Sequence, residues 1–148
     1  MASYHQILYH LTFRTKNSQK VLHYSDNDEL LRYIWGILKN KKCKRYRINA
    51  VSDHLHLVCG LHPKVALADL VQEIKVSTSI WIKREKLYPQ FKGWAEGYGA
   101  FTISLREKEA TLRYVMNQQE HHKKADFRGE YIKLLNENGV AFDDKYLL

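Results

Sequence analysis

The stretch His54-Leu55-His56-Leu57-Val58-Cys59 alternates two kinds of side chain, residue by residue. In an extended chain successive side chains point to opposite faces. His54, His56 and Val58 therefore share one face, and Leu55, Leu57 and Cys59 share the other. The leucine face demands a helix-covered core, so the stretch belongs to a sheet. Both imidazoles are expected to project from the opposite, open face, roughly 6.5 Å apart along the strand. That spacing lets both rings lean toward one cation. It suits two unrelated surface histidines equally well.

The rest of the chain supplies elements for such a sheet. Tyr4 to Thr15 reads as a first strand, with Ile7, Tyr9, Leu11 and Phe13 on one face. Ser25 or Asp26 is placed to cap a helix running to about Lys42, with Leu30, Leu31, Ile34, Ile37 and Leu38 as its apolar stripe. Tyr46 to Ser52 and His54 to Gly60 form two strands joined tightly at Ser52-Asp53. Pro63 breaks the chain before a second amphipathic helix, about Val65 to Lys86, carrying Leu67, Leu70, Val71, Ile74, Ile80 and Ile82. A glycine-rich loop, Lys92 to Gly99, feeds a short strand from Ala100 to Leu105. A helix from about Glu107 to Lys124 follows, then a tail with a short helix near Tyr131 to Asn136.

The order β-α-β-β-α-β-α is the ferredoxin-like α+β arrangement with an added C-terminal helix. It predicts an antiparallel sheet with helices on one face and the other face open. No repeat, low-complexity tract or linker interrupts the pattern. Residues 1–148 are therefore expected to form a single domain with one core.

Cys43 and Cys59 match no zinc or redox spacing and are expected as reduced thiols. No apolar run nears the roughly 20 residues of a bilayer span. The first residues lack the basic and apolar regions of a secretion signal. The expected location is cytoplasmic, with no membrane partner. The formal charge of +8 is unevenly spread. No acid lies between Glu29 and Asp53, where Arg32, Lys39, Lys41, Lys42, Lys44, Arg45 and Arg47 all fall. Such a block suits a phosphate backbone, and it equally suits a solvated helix end.

The last long helix adds a second polar stripe. Tyr114 and Gln118 are four apart and share a face, which His121 and His122 extend by another turn. Leu112, Val115 and Met116 lie to one side and can pack inward. Taken alone, this stripe is as readily a solvent face as a site.

Together the two motifs resemble those of the HUH-type single-tyrosine transposases of small bacterial insertion sequences, which include repeat-associated relatives. The family signature is Asp-His-hydrophobic-His on a strand and Tyr-x-x-x-Gln on a later helix. Here these are Asp53-His54-Leu55-His56 and Tyr114-Val115-Met116-Asn117-Gln118. The stretches Phe13-Arg14-Thr15-Lys16, Trp94 to Phe101 and Asn117 to His122 are similar as well. One departure is Ser52, where relatives often carry proline before the Asp.

The resemblance implies a DNA strand transferase. Tyr114 would be the nucleophile and form a 5′-phosphotyrosine. His54, His56 and Gln118 would hold a divalent metal, Mg2+ or Mn2+. The implied partner is single-stranded DNA folded into a hairpin. The implied assembly is a homodimer with active sites completed in trans. Arg14, Lys16, Lys41, Lys42, Lys44, Arg45, Lys75 and Lys83 are candidate DNA contacts, with Trp81, Trp94 and Tyr98 either stacking platforms or core. Asp53 either orients His54 or serves the turn. His121 and His122 either assist at the site or end the helix.

Other readings stay in view. A domesticated or relaxase-like nicking enzyme would use the same chemistry. A non-catalytic nucleic-acid-binding module would place aromatics, not histidines, on the middle strands. A metallohydrolase would need acidic ligands near the histidine pair, and the sequence shows no convincing set.

Overall fold

The computed structural model describes residues 2–23, 26–121 and 126–147, and of His121 only the backbone. Ser25, one of the two expected helix caps, lies outside the described residues. Strand β1 (Leu8–Arg14) is followed by helix α1 (Asn27–Asn40), strands β2 (Arg45–Ala50) and β3 (His54–Gly60), and helix α2 (Leu67–Glu85). Strand β4 (Gly99–Ile103) then leads to helices α3 (Lys108–Met116), α4 (Gln118–His121) and α5 (Phe127–Glu137). The sheet is antiparallel with strand order β2-β3-β1-β4, as a ferredoxin-like arrangement requires. No described helix is long and apolar enough to cross a membrane.

Helices α1 and α2 cover the leucine face. Leu11 and Phe13 of β1 and Leu55, Leu57 and Cys59 of β3 join Leu30, Ile34, Leu38, Leu70, Ile74 and Ile82 in one buried cluster. The predicted stripe of α2 is off at one position. Ile80 is 59% exposed, and Thr78 is buried in the helix face instead. The polar residue is accommodated because its hydroxyl donates to the Ile74 carbonyl at 2.6 Å and accepts from Trp94 Nε1 at 2.8 Å. Cys43 and Cys59 are free and buried.

The opposite face is not open. Leu8, His10, Thr12, His54, His56 and Val58 are all buried there. Helices α3 and α5 cover them and bring Val115, Phe127 and Leu135 into a second, smaller apolar layer. Gly99 permits the close approach of α5, since a β-carbon there would stand 2.7 Å from the Tyr131 ring. The tail helix is thus longer than its sequence pattern predicts, and it is the cover that the open-face expectation lacked.

The helix predicted from Glu107 to Lys124 is broken at Asn117. The side chain of Asn49 in β2 explains the break. Its Nδ2 donates to the carbonyls of Val115 at 2.9 Å and Met116 at 3.2 Å, groups that an unbroken helix would use internally. The result is a short bend between Tyr114 and Gln118.

Candidate metal and tyrosine site

Sheet register sets the floor of the site. His56 pairs with Thr12 of β1 and Asn49 of β2, and His54 pairs with Arg14. His54 Nδ1 lies 2.8 Å from Asp53 Oδ1, which fixes the ring and leaves Nε2 facing inward. Of the two readings of Asp53, this contact favours orientation of the imidazole, although its carbonyl also receives the Thr15 amide at 2.8 Å. His54, His56 and Gln118 have no exposed surface.

The α3–α4 bend carries the other half. Gln118 Oε1 is 3.3 Å from His54 Nε2. The Tyr114 ring meets the His56 ring edge-on, with centroids 5.7 Å apart. The Tyr114 hydroxyl hydrogen-bonds the side chains of Glu130 and Gln118. Burial, followed by the negative charge of Glu130, pushes this hydroxyl well above the usual tyrosine range. Tyr114, Gln118, His54 and His56 therefore converge within one chain. The Asn49 contacts hold the tyrosine helix on its own sheet.

Two residues at this site escaped the sequence reading. Glu130 of α5 places Oε1 2.5 Å from His56 Nε2 and 3.8 Å from His54 Nε2. It places a carboxylate beside the histidine pair, where the sequence showed no convincing acidic set. The second is His10 of β1, whose Nε2 lies 2.8 Å from His56 Nδ1. Phe127 stacks on His54 with centroids 4.3 Å apart and closes the top.

The donor set fits a divalent cation. Single ligand atoms from His54, His56 and Glu130 lie within 4.8 Å of one another, all buried, with the Gln118 carbonyl oxygen alongside. Two imidazoles with a carboxylate and an amide form a mixed nitrogen–oxygen set compatible with manganese or magnesium.

The predicted DNA contacts divide. Arg14 lies opposite His54 and donates to Ser18 Oγ at 2.9 Å, with Lys16 exposed beside it. At the far end of β2 and β3, Lys42, Lys44 and Arg45 surround a shallow hollow with Trp35, over which Arg45 stacks at 3.6 Å. Lys41 pairs with Glu73 at 2.9 Å, and Lys83 is exposed on α2.

Lys75, a candidate DNA contact, is engaged within the chain. Its ammonium is half-buried and donates to the carbonyls of Ala95 and Gly97, holding the glycine-rich loop. Burial pushes its pKa down. Of the two readings of Trp81 and Trp94, packing favours the core: Tyr33 stacks on the first with centroids 4.3 Å apart, and the second packs edge-on against Phe13 and Phe91. Tyr98 remains partly exposed. His122 and the side chain of His121 lie outside the described residues.

Comparison with known proteins follows this geometry. The family described as "Transposase IS200 like" matches residues 3–118. A solved structure of a transposase candidate from Deinococcus radiodurans R1 shares 22% identity, covering 80% of this chain and 95% of its own, with a TM-score of 0.62. A REP-associated tyrosine transposase solved bound to a REP hairpin shares 14% identity, covering 82% of this chain and 74% of its own, with a TM-score of 0.63. At these identities the likeness is one of fold. No curated protein matches the chain.

Proposed function

Since the chain belongs to the IS200-like transposase family, we propose that it cuts and rejoins single-stranded DNA through a covalent bond to Tyr114. The observation that carries this reading is convergence: one helix bend delivers Tyr114 and Gln118 onto the two in-phase histidines of β3. The oxygen of Tyr114 attacks the scissile phosphorus, a Tyr–O–P bond forms, and the P–O3′ bond breaks. The 3′-hydroxyl departs with a proton. Exchange of one ester for another keeps the bond energy, so a second 3′-hydroxyl can reverse the step and join new strands.

Tyr114 begins as a neutral phenol, and the chain around it is built to handle its proton. Glu130 accepts the hydroxyl hydrogen and is a group able to take it. Gln118 donates to the same oxygen and orients it. His54, His56, Gln118 and Glu130 are the residues that would hold a divalent cation, which supplies positive charge to the phosphate and the leaving oxygen. The carboxylate favours Mn2+ or Mg2+ over softer ions.

The strand has a route in. Tyr114 and His10 line a cleft of about 520 Å³ between β4, α3 and α5, together with the cations Arg106 and Lys133 and the acids Glu107 and Glu137. Folded hairpin DNA fits as the substrate class because the family relative was solved with a hairpin. The basic hollow around Lys42, Lys44 and Arg45 is a second phosphate contact, distant from the cut.

The test is direct. Protein, Mn2+ and single-stranded hairpins with flanking sequence are incubated, denatured and scored for a protein–DNA adduct. Wild type forms the adduct, and Tyr114→Phe does not while keeping its hairpin affinity. An adduct in the Tyr114→Phe protein, mapped to a different tyrosine, rejects the assignment.

A further inference from the structure

One buried polar side chain beside the site has no part in the scheme above. His10 is 3% exposed and sits on the histidine face of β1, opposite Val58, while Thr12 lies opposite His56. That register makes His10 the diagonal neighbour of His56. Its Nε2 stands 2.8 Å from His56 Nδ1, with the two rings inclined by only 29°. Phe101 and Tyr114 wall the pair at centroid distances of 6.0 Å each.

A neutral imidazole has one N–H and one bare nitrogen, so each ring's state dictates the other's. We propose that His10 is the positioning residue of His56, setting which of its nitrogens carries the hydrogen. This rests on the metal reading of His54 and His56. With a cation at the site, His56 Nδ1–H donates to His10 Nε2, and the bare Nε2 of His56 faces the ion. Asp53 does the same for His54 through its Nδ1 at 2.8 Å.

The two supports differ in kind. A carboxylate only accepts, so Asp53 holds His54 permanently in the ligating form. An imidazole can also donate. Without a cation, His10 Nε2–H donates to His56 Nδ1, and His56 Nε2–H turns to Glu130 at 2.5 Å. His10 therefore lets His56 alternate between facing the Glu130 carboxylate with Nε2–H and facing a cation with a bare Nε2. In the exchange His56 Nε2 gives up a hydrogen and His10 Nδ1 takes one up, so the pair neither gains nor loses a proton overall.

The test uses full-length protein with His10→Phe, which keeps an aromatic ring but has no nitrogen, and His10→Gln, whose amide both accepts and donates at similar reach. Mn2+ binding by calorimetry should weaken ten- to a hundredfold in His10→Phe. It should stay within a few-fold of wild type in His10→Gln. Nitrogen-15 imidazole spectra of the Zn2+-loaded wild type should show His56 hydrogen on Nδ1. Unchanged Mn2+ affinity in folded His10→Phe, or a glutamine variant as weak as the phenylalanine one, overturns the proposal and leaves the metal reading intact. Should His10→Phe fail to fold, His10→Leu, which also lacks a ring nitrogen, takes its place with the same outcomes. A wild type that binds neither Mn2+ nor Zn2+ rejects the metal reading and this proposal together.

Discussion

The carboxamides of Asn49 and Gln119 face each other and exchange hydrogen bonds: Asn49 Nδ2 donates to Gln119 Oε1 at 3.1 Å, and Gln119 Nε2 donates to Asn49 Oδ1 at 3.1 Å. With the Val115 and Met116 carbonyls also on Asn49 Nδ2, this pair fastens the tyrosine helix to the strand beside His56. Asn49→Ala should cost about 1–3 kcal/mol of stability, since several part-buried groups lose their partner. It should slow adduct formation more than it weakens hairpin binding. Denaturant melts and single-turnover rates check both. A variant with wild-type rate would show that the fastening has no role in the reaction.

The same fastening bears on assembly. Tyr114→Phe and His54→Ala are each expected to be inactive. Mixed under conditions that allow subunit exchange, they should stay inactive if each chain builds its own site. Recovery of adduct in the mixture would instead mean that the tyrosine helix of one subunit serves the histidines of another.

Glu130→Gln preserves shape and removes charge. Mn2+ affinity should fall at least tenfold if the carboxylate is a ligand. The Tyr114 hydroxyl should also become more acidic, because Glu130 is the second cause of its raised pKa. It should remain above the usual range of about 10, because burial is the larger cause. Carbon-13 spectra of ring-labelled tyrosine across pH, on metal-free protein, read the shift. No movement would remove Glu130 from the neighbourhood of the nucleophile.

Alkaline stability follows from two buried acids away from the site. Burial, with Cys43 nearby, pushes the Cys59 thiol from 9.0 up to about 12. Burial, with Asp26 and Glu29 nearby, raises the Tyr88 phenol. Above pH 9 the unfolded chain releases the Cys59 proton and the native chain keeps it. The native state then binds more protons, so stability is full below pH 9 and declines as pH rises toward 12. Tyr88 adds to the decline above pH 10. Urea melts from pH 8 to 11 measure the slope, which should be shallower in Cys59→Ala.

How much of this was legible in the sequence depended on the range of the signal. Alternation is local, so β3 and its two in-phase histidines could be read directly, and the spacing of Tyr114 and Gln118 likewise. Ile80 was misplaced on the α2 stripe, and Thr78 went unread, because the reason for a buried threonine is Trp94, which reaches α2 from the later loop. His10 shares a face with His56 only once the β1–β3 register is known. Glu130 gives no local sign at all: its role comes from α5 folding back over the sheet, and Gly99 makes room for that through its missing side chain.

The order of the chain has a consequence during synthesis. All four strands are made before any of the helices α3 to α5. A nascent chain that has folded its sheet over α1 and α2 would bear Leu8, Val58 and the imidazoles of His10, His54 and His56 on bare surface until the last helix leaves the ribosome. Phe127 and Glu130 arrive only with α5, after every strand and the tyrosine helix. A ribosome stalled after β4 would therefore present a sticky, histidine-bearing sheet with no nucleophile, harmless to DNA but an evident target for chaperones.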